Sequence, residues 1–164
     1  MFETSYIILE LLNKADRISG RKKLQKTLHL LQLHGINVPF AYEYHFYGPY
    51  SSQLQAEVNH LVEQGLLLEE NIGETYCYEL TKSGRKFKNL VEDMLSIRID
   101  LDNDLINTIE HQSASFLEVV STFGFLTDLG YDKNEARDKC LELKPHLKSL
   151  LDDAIDFFYE HIMN

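Results

Sequence analysis

A mainly α fold of the α+β kind is predicted by three observations. Apolar residues recur at three- and four-residue spacing along most of the chain. Two short Tyr-rich segments, residues 42–47 and 75–80, alternate instead with a period of two. Beyond residue 95 every periodic signal is helical. The chain has 164 residues, 44% of them hydrophobic. That suffices for a core and is too rich for disorder.

The elements follow in order. Ile8, Leu11, Leu12 and Ala15 share one helical face and predict a helix over 3–15. Ser19-Gly20 offers a cap for a second helix over 20–34, ended by Gly35. Leu24, Leu28 and Leu31 form its inner stripe, while Lys22, Lys26, His29 and Leu33 lie opposite. That second stripe fits either a contact surface or a helix packed on two sides. In 42–47, Tyr42, Tyr44 and Phe46 alternate with Glu43, His45 and Tyr47, the pattern of a strand, which Gly48-Pro49 breaks. Ser51 or Ser52 caps a helix carrying Leu54, Val58, Leu61 and Val62. Leu66–Leu68 and Thr75–Leu80 form a hairpin around Asn71-Ile72-Gly73, with a loop longer than two residues. Thr81 caps a helix with Phe87, Leu90, Val91 and Met94 on one face.

In the last third, Phe116, Val119, Val120 and Phe123 keep helical spacing. Asp132 and Glu135 form a capping box, and Pro145 suits the first turn of a final helix. Helix, helix, strand, helix and hairpin are the parts of a winged helix. Residues 1–95 therefore read as a winged-helix-like domain, and 96–164 as a helical extension or dimerisation region. A homodimer follows if an apolar face bearing Phe116, Phe123, Phe125, Phe157 or Phe158 stays uncovered.

The net charge is -10, which argues against bulk attraction to nucleic acid. The charge is uneven. Residues 1–40 hold six basic against three acidic groups, 41–93 four against nine, and 94–164 six against 14. Any anion-binding surface should involve Arg17–Lys26. The helix at 51–64 and the hairpin, the parts a winged helix presents to DNA, carry Glu57, Glu63, Glu69, Glu70, Glu74 and Glu79 with no Lys or Arg. Phosphate contacts need cations.

Arg21-Lys22-Lys23-Leu24-Gln25-Lys26, then Tyr47-Gly48-Pro49-Tyr50-Ser51 and Leu61 to Gly65, resemble the YwgA-like bacterial proteins. More distantly this stretch, about residues 5–90, is similar to the Panacea (SocA-like) antitoxin domain. The resemblance implies a bacterial cytoplasmic protein with a winged-helix-like core and a binding role. Panacea domains act by direct contact with toxin proteins.

Catalytic and metal patterns fail on the residues themselves. Walker A, GxGxxG, GxSxG and HExxH motifs do not occur. Asp100, Asp102 and Asp104 mimic a calcium loop, but Leu105 and His111 stand at its diagnostic positions, so a helix N-terminus explains them better. No catalytic residue, metal site or cofactor is expected. His45 with Glu43 reads as an ordinary strand pair, though a pocket gathering His45, Glu43 and Cys77 would point to a small hydrolase. Cys77 and Cys140 form no CxxC and suit a reducing cytoplasm. Glu3 and Glu10 argue against a signal peptide, and no apolar run reaches membrane-span length.

The expected function is a non-enzymatic regulatory module acting through protein–protein contacts at Arg21, Lys22, Lys26, Tyr47 and Tyr50. Tyr47 and Tyr50 would stand exposed beside the lysines as anchors. The alternative is a winged-helix DNA-binding regulator that uses Arg17–Lys26.

Overall fold

A computed structural model describes residues 2–163. The first helix, α1 (Glu3–Ala15), buries Tyr6 through Leu12 on nearly every side. It is a central rod and not the one-faced helix that its apolar spacing predicts. Glu10 lies inside, where the Lys88 ammonium meets it at 3.1 Å. Burying a carboxylate is tolerable only with such a partner.

Arg17–Ser19 then forms β1, a strand absent from the sequence reading. Three residues are too few to show a period. Ser19 therefore caps nothing, and α2 (Arg21–His34) starts from Gly20 without a side-chain cap. Gly35 ends α2 at φ +110°, and the Ile36 N–H donates back to the Leu31 carbonyl at 3.0 Å.

The strand predicted over 42–47 shrinks to β2 (Glu43–His45), and Gly48–Tyr50 is its partner β3. Gly48-Pro49 thus belongs to a small separate hairpin. Its two-residue loop is Phe46-Tyr47, because His45 pairs with Gly48. Ser51 caps α3 (Ser52–Glu63), accepting from the Leu54 N–H.

The larger sheet is antiparallel in the order β1-β5-β4, with β4 (Leu67–Ile72) and β5 (Thr75–Leu80). Ile72 pairs with Thr75, so this hairpin also turns in two residues, Gly73-Glu74, and not in a longer loop. Thr81 caps α4 (Lys82–Leu95). Gly84 is required there, since a Cβ would sit 2.1 Å from the Leu66 carbonyl oxygen. Leu90, Met94 and Leu95 are exposed on α4, so its predicted apolar stripe is only half covered.

Asp102 caps α5 (Asn103–Glu110), which settles the aspartate run as a helix start. Next come α6 (Ala114–Asp128) and α7 (Lys133–Leu143), the latter with the predicted capping box. The final helix is broken. A 3-10 stretch over Pro145–Leu150 leads into α8 (Leu151–Phe157), and the chain closes in a π turn over Phe158–Ile162. Helix α6 packs along α2 and against α7 and α8. The buried apolar residues form one cluster running from Ile7 to Ile162. Phe123, Phe157 and Phe158 are buried, and Phe116 and Phe125 are half-buried, so the extension's aromatic faces are covered within the chain.

Candidate functional site

The second stripe of α2 is turned inward. Lys26 and His29 are each 2% exposed, against α6 on one side and the β2–β3 hairpin on the other. The Nδ1 of His29 lies 2.6 Å from Ser121 Oγ, and Tyr42 stacks beside its ring at 4.7 Å. Burial, with the Lys26 cation adding, drives the His29 pKa down to about 3. The helix is therefore packed on two sides.

A second buried centre lies nearer the start of α2. Glu118 of α6, 2% exposed, receives the Lys22 ammonium at 2.5 Å and the Lys144 ammonium at 3.0 Å. Burial opposes ionisation of Glu118, but the two lysines outweigh it and hold its pKa below the usual carboxylate range. The backbone of the hairpin hangs from this centre. Lys144 Nζ donates to the Phe46 carbonyl at 2.7 Å, and Lys26 Nζ to the Pro49 carbonyl at 2.5 Å. Gln25 exchanges two bonds of 2.9 Å with the backbone of Ser51. Gly48, at φ +88°, sits where a Cβ would lie 3.0 Å from Thr122 Oγ1 and 3.3 Å from Glu118 Cγ. No other residue combines that conformation with that closeness.

The fixed loop presents its side chains outward. Phe46 is 84% and Tyr47 60% exposed, and the two rings meet edge to face at 4.9 Å. Two recesses flank them. One, of about 480 Å³, is lined by Arg21, Lys22, Lys26, Tyr47 and Tyr50 together with Phe46 and Gln25. The other, of about 250 Å³, lies between Tyr44, Phe46 and Lys144. The Lys22 ammonium stands 5.1 Å over the Tyr47 ring, and the Lys144 ammonium 5.4 Å over the Tyr44 ring.

All five residues expected from the sequence thus line one recess. Their exposure differs from the expectation. Tyr47 is open, Tyr50 is half-buried beside His45, and Lys26 lies beneath the hairpin. Glu118, Lys144 and Phe46 were not anticipated. Glu118 did leave a trace, as a lone charge inside the apolar run Leu117-Val119-Val120. Phe46 was misplaced because the strand ends one residue before it.

Arg17, Arg21 and Lys23 also face partners within the chain. Arg17 faces Glu79 at 3.8 Å. Arg21 bonds the Tyr78 hydroxyl at 3.2 Å and stacks on Tyr76 at 3.9 Å. Lys23 reaches Glu110 at 3.5 Å. His45 and Glu43 lie 3.6 Å apart on the exposed hairpin, while Cys77 is buried in the other sheet beside Ser19. The arrangement therefore does not gather these three. Among the described residues, no group of three or more His, Cys, Asp or Glu could hold a metal ion. No helix there is long and apolar enough to cross a membrane.

Fold and recess together define a mainly helical protein with a small antiparallel sheet and a recess lined by aromatic and cationic side chains. The chain is 30% identical over 163 residues to the uncharacterised protein YwgA of Bacillus subtilis strain 168, covering 93% of each. It belongs to the YwgA family. No protein-family model matches it.

Proposed function

We propose that the protein is a non-enzymatic cytoplasmic regulatory module that binds another protein through the Phe46-Tyr47 loop and its larger flanking recess. The observation that carries this reading is the contrast within the hairpin. Its backbone is held by Lys26, Lys144 and Gln25, while two large aromatic rings stand in solvent. Exposed aromatic side chains on a fixed backbone lose little entropy on binding and serve as interface anchors.

The path α1-β1-α2-α3-β4-β5, with sheet order β1-β5-β4, supports a winged-helix-like reading of residues 1–95. Strand β1 supplies the sheet's third member, so the β2–β3 hairpin is an insertion before α3. A winged-helix DNA regulator is the second reading. It has less support, because Arg17, Arg21, Lys22 and Lys23 already face carboxylates. The distant resemblance of about residues 5–90 to Panacea domains, read from the sequence alone, is in keeping with a protein partner and an antitoxin-like role.

Affinity capture tests the choice. The purified chain should retain a stoichiometric protein from host-cell lysate. A Phe46→Ser, Tyr47→Ser double variant should lose it with an unchanged melting temperature, since both side chains are exposed. Ile72→Ser on the β4–β5 turn should retain it. Capture that survives the double substitution contradicts the reading. So does recovery of nucleic acid alone, released steeply by salt.

A further inference from the structure

The buried centre beneath the hairpin has more positive than negative charge. Lys22, Lys26 and Lys144 surround one carboxylate, Glu118, which Lys22 and Lys144 already share. Among the described residues, Lys26 makes one hydrogen bond, to the neutral carbonyl of Pro49, and has no carboxylate within 4 Å. An ammonium carries three donors and is costly to bury without an anion. Burial accordingly pulls its pKa from 10.5 down to about 8, against the more distant pull of Glu118 and with Lys22 and Lys144 adding to the fall. Yet Lys26 does not lie in a closed core. It lines the larger recess together with Arg21, Lys22, Gln25, Phe46, Tyr47 and Tyr50.

Other charged and amide groups around the recess have partners within the chain. Gln25 is held by Ser51, and Arg21 by Tyr78 and Glu69. His45 of β2 pairs with Glu43 at the rim. Among the described residues, Lys26 is the lysine or arginine of this recess with no carboxylate partner, and its ammonium has two N–H groups left to give. It matches one carboxylate better than a phosphate dianion, and the aromatic walls ask for an apolar group beside it.

We propose that this recess binds a carboxylate of an acidic segment of the protein partner, with Lys26 as its counter-ion and Phe46 and Tyr47 against the apolar residue next to that carboxylate. This rests on the protein-binding reading above and names the chemistry of its site. Because an anion favours the charged amine, binding takes up a proton wherever the unliganded Lys26 is neutral, above pH about 8. Affinity therefore falls as the pH rises beyond that value.

The probes are N-acetylphenylalanine, its uncharged amide and phenyl phosphate, each titrated into the full chain at pH 7 with backbone amide NMR shifts as the readout. The acid should move the signals of Phe46–Gly48 and of the start of α2. The amide should bind at least about tenfold more weakly, the loss expected when a charged partner is removed. Phenyl phosphate should bind no tighter than the acid. Between pH 7 and 10 the affinity for the acid should drop at least about tenfold. Lys26→Met should abolish binding. Should that variant not fold, the pH profile of the unaltered chain carries the same test.

Equal binding of acid and amide overturns the proposal, as does no shift up to about 20 mM acid. A flat pH profile, or retained affinity in Lys26→Met, does so too. Tenfold tighter phenyl phosphate would make this a phosphate site instead. If the probes fail while the Phe46→Ser, Tyr47→Ser variant still loses its captured protein, the carboxylate assignment falls alone. If the probes bind and no protein is captured, the protein-binding reading falls.

Discussion

Replacing Glu118 by Ala should destabilise the fold by about 3–5 kcal/mol, the cost of leaving buried charges without their partner. Among the described residues, Glu118 is the one carboxylate in contact with Lys22 and Lys144, and it is 2% exposed. Its removal leaves Lys144, itself 4% exposed, with the Phe46 carbonyl and the Tyr44 ring but no carboxylate among the described residues. Three ammonium groups would then repel one another beneath the hairpin. Urea unfolding measures the effect as a lower midpoint with an unchanged slope. Adding Lys22→Met to Glu118→Ala should restore part of the loss, because it removes one of the stranded charges. A loss below about 1 kcal/mol would place the pair among weak surface bridges and end its role as the hairpin's support.

Acid should destabilise the protein through His29 before Glu92 and Glu118 titrate. His29 has an ordinary pKa of 6.5 when exposed and about 3 in the folded chain, where burial keeps it neutral. Below pH 6.5 the unfolded chain takes up a proton on His29 that the folded chain refuses. The stability from the neutral ring is complete above pH 6.5 and is lost as the pH falls toward 3. The loss amounts to roughly 2 kcal/mol by pH 5, since each pH unit in that window costs about 1.4 kcal/mol. Glu92 and Glu118, whose pKa values are held below 4.5, contribute their own losses only at lower pH. Thermal melts at pH 7, 6 and 5 check this, with His29→Gln as the comparison. The variant should show a shallower decline. Equal declines would show that His29 is hydrated or protonated in the folded state.

The helices were legible because each carries its own punctuation. Ser51, Thr81 and the Asp132–Glu135 box cap the helices that the apolar spacing predicts. The strands were harder. β1 is three residues long, and it is held by pairing Ile18 with Tyr78, sixty positions away in sequence. No local pattern announces such a contact. Residues 48–50 read as a break because Gly and Pro usually end strands, yet Pro49 sits in an edge position where its missing N–H costs nothing.

The site was partly legible. The basic run and the Tyr-Gly-Pro-Tyr turn lie about twenty residues apart in sequence, and the fold closes them around one recess. Their chemistry came out differently from a surface patch. Helical periodicity places Lys22 and Lys26 on one face but cannot say whether that face meets water. Helix α6 decides it, and α6 lies nearly a hundred residues further on. Glu118 and Lys144 become neighbours only through that packing. The acidic α3 and β4–β5 turn were read directly, since charges on short exposed elements need no tertiary information.

Photo-crosslinking in living cells tests the central claim most directly. Benzoylphenylalanine placed at position 46 reports on the hairpin loop, while positions 59 and 72 report on α3 and the β4–β5 turn. All three side chains are exposed in the folded chain, so the probe disturbs no core. The account predicts a single protein adduct of defined mass from position 46 and none from 59 or 72. Adducts to nucleic acid at 59 or 72, with none at 46, would contradict it.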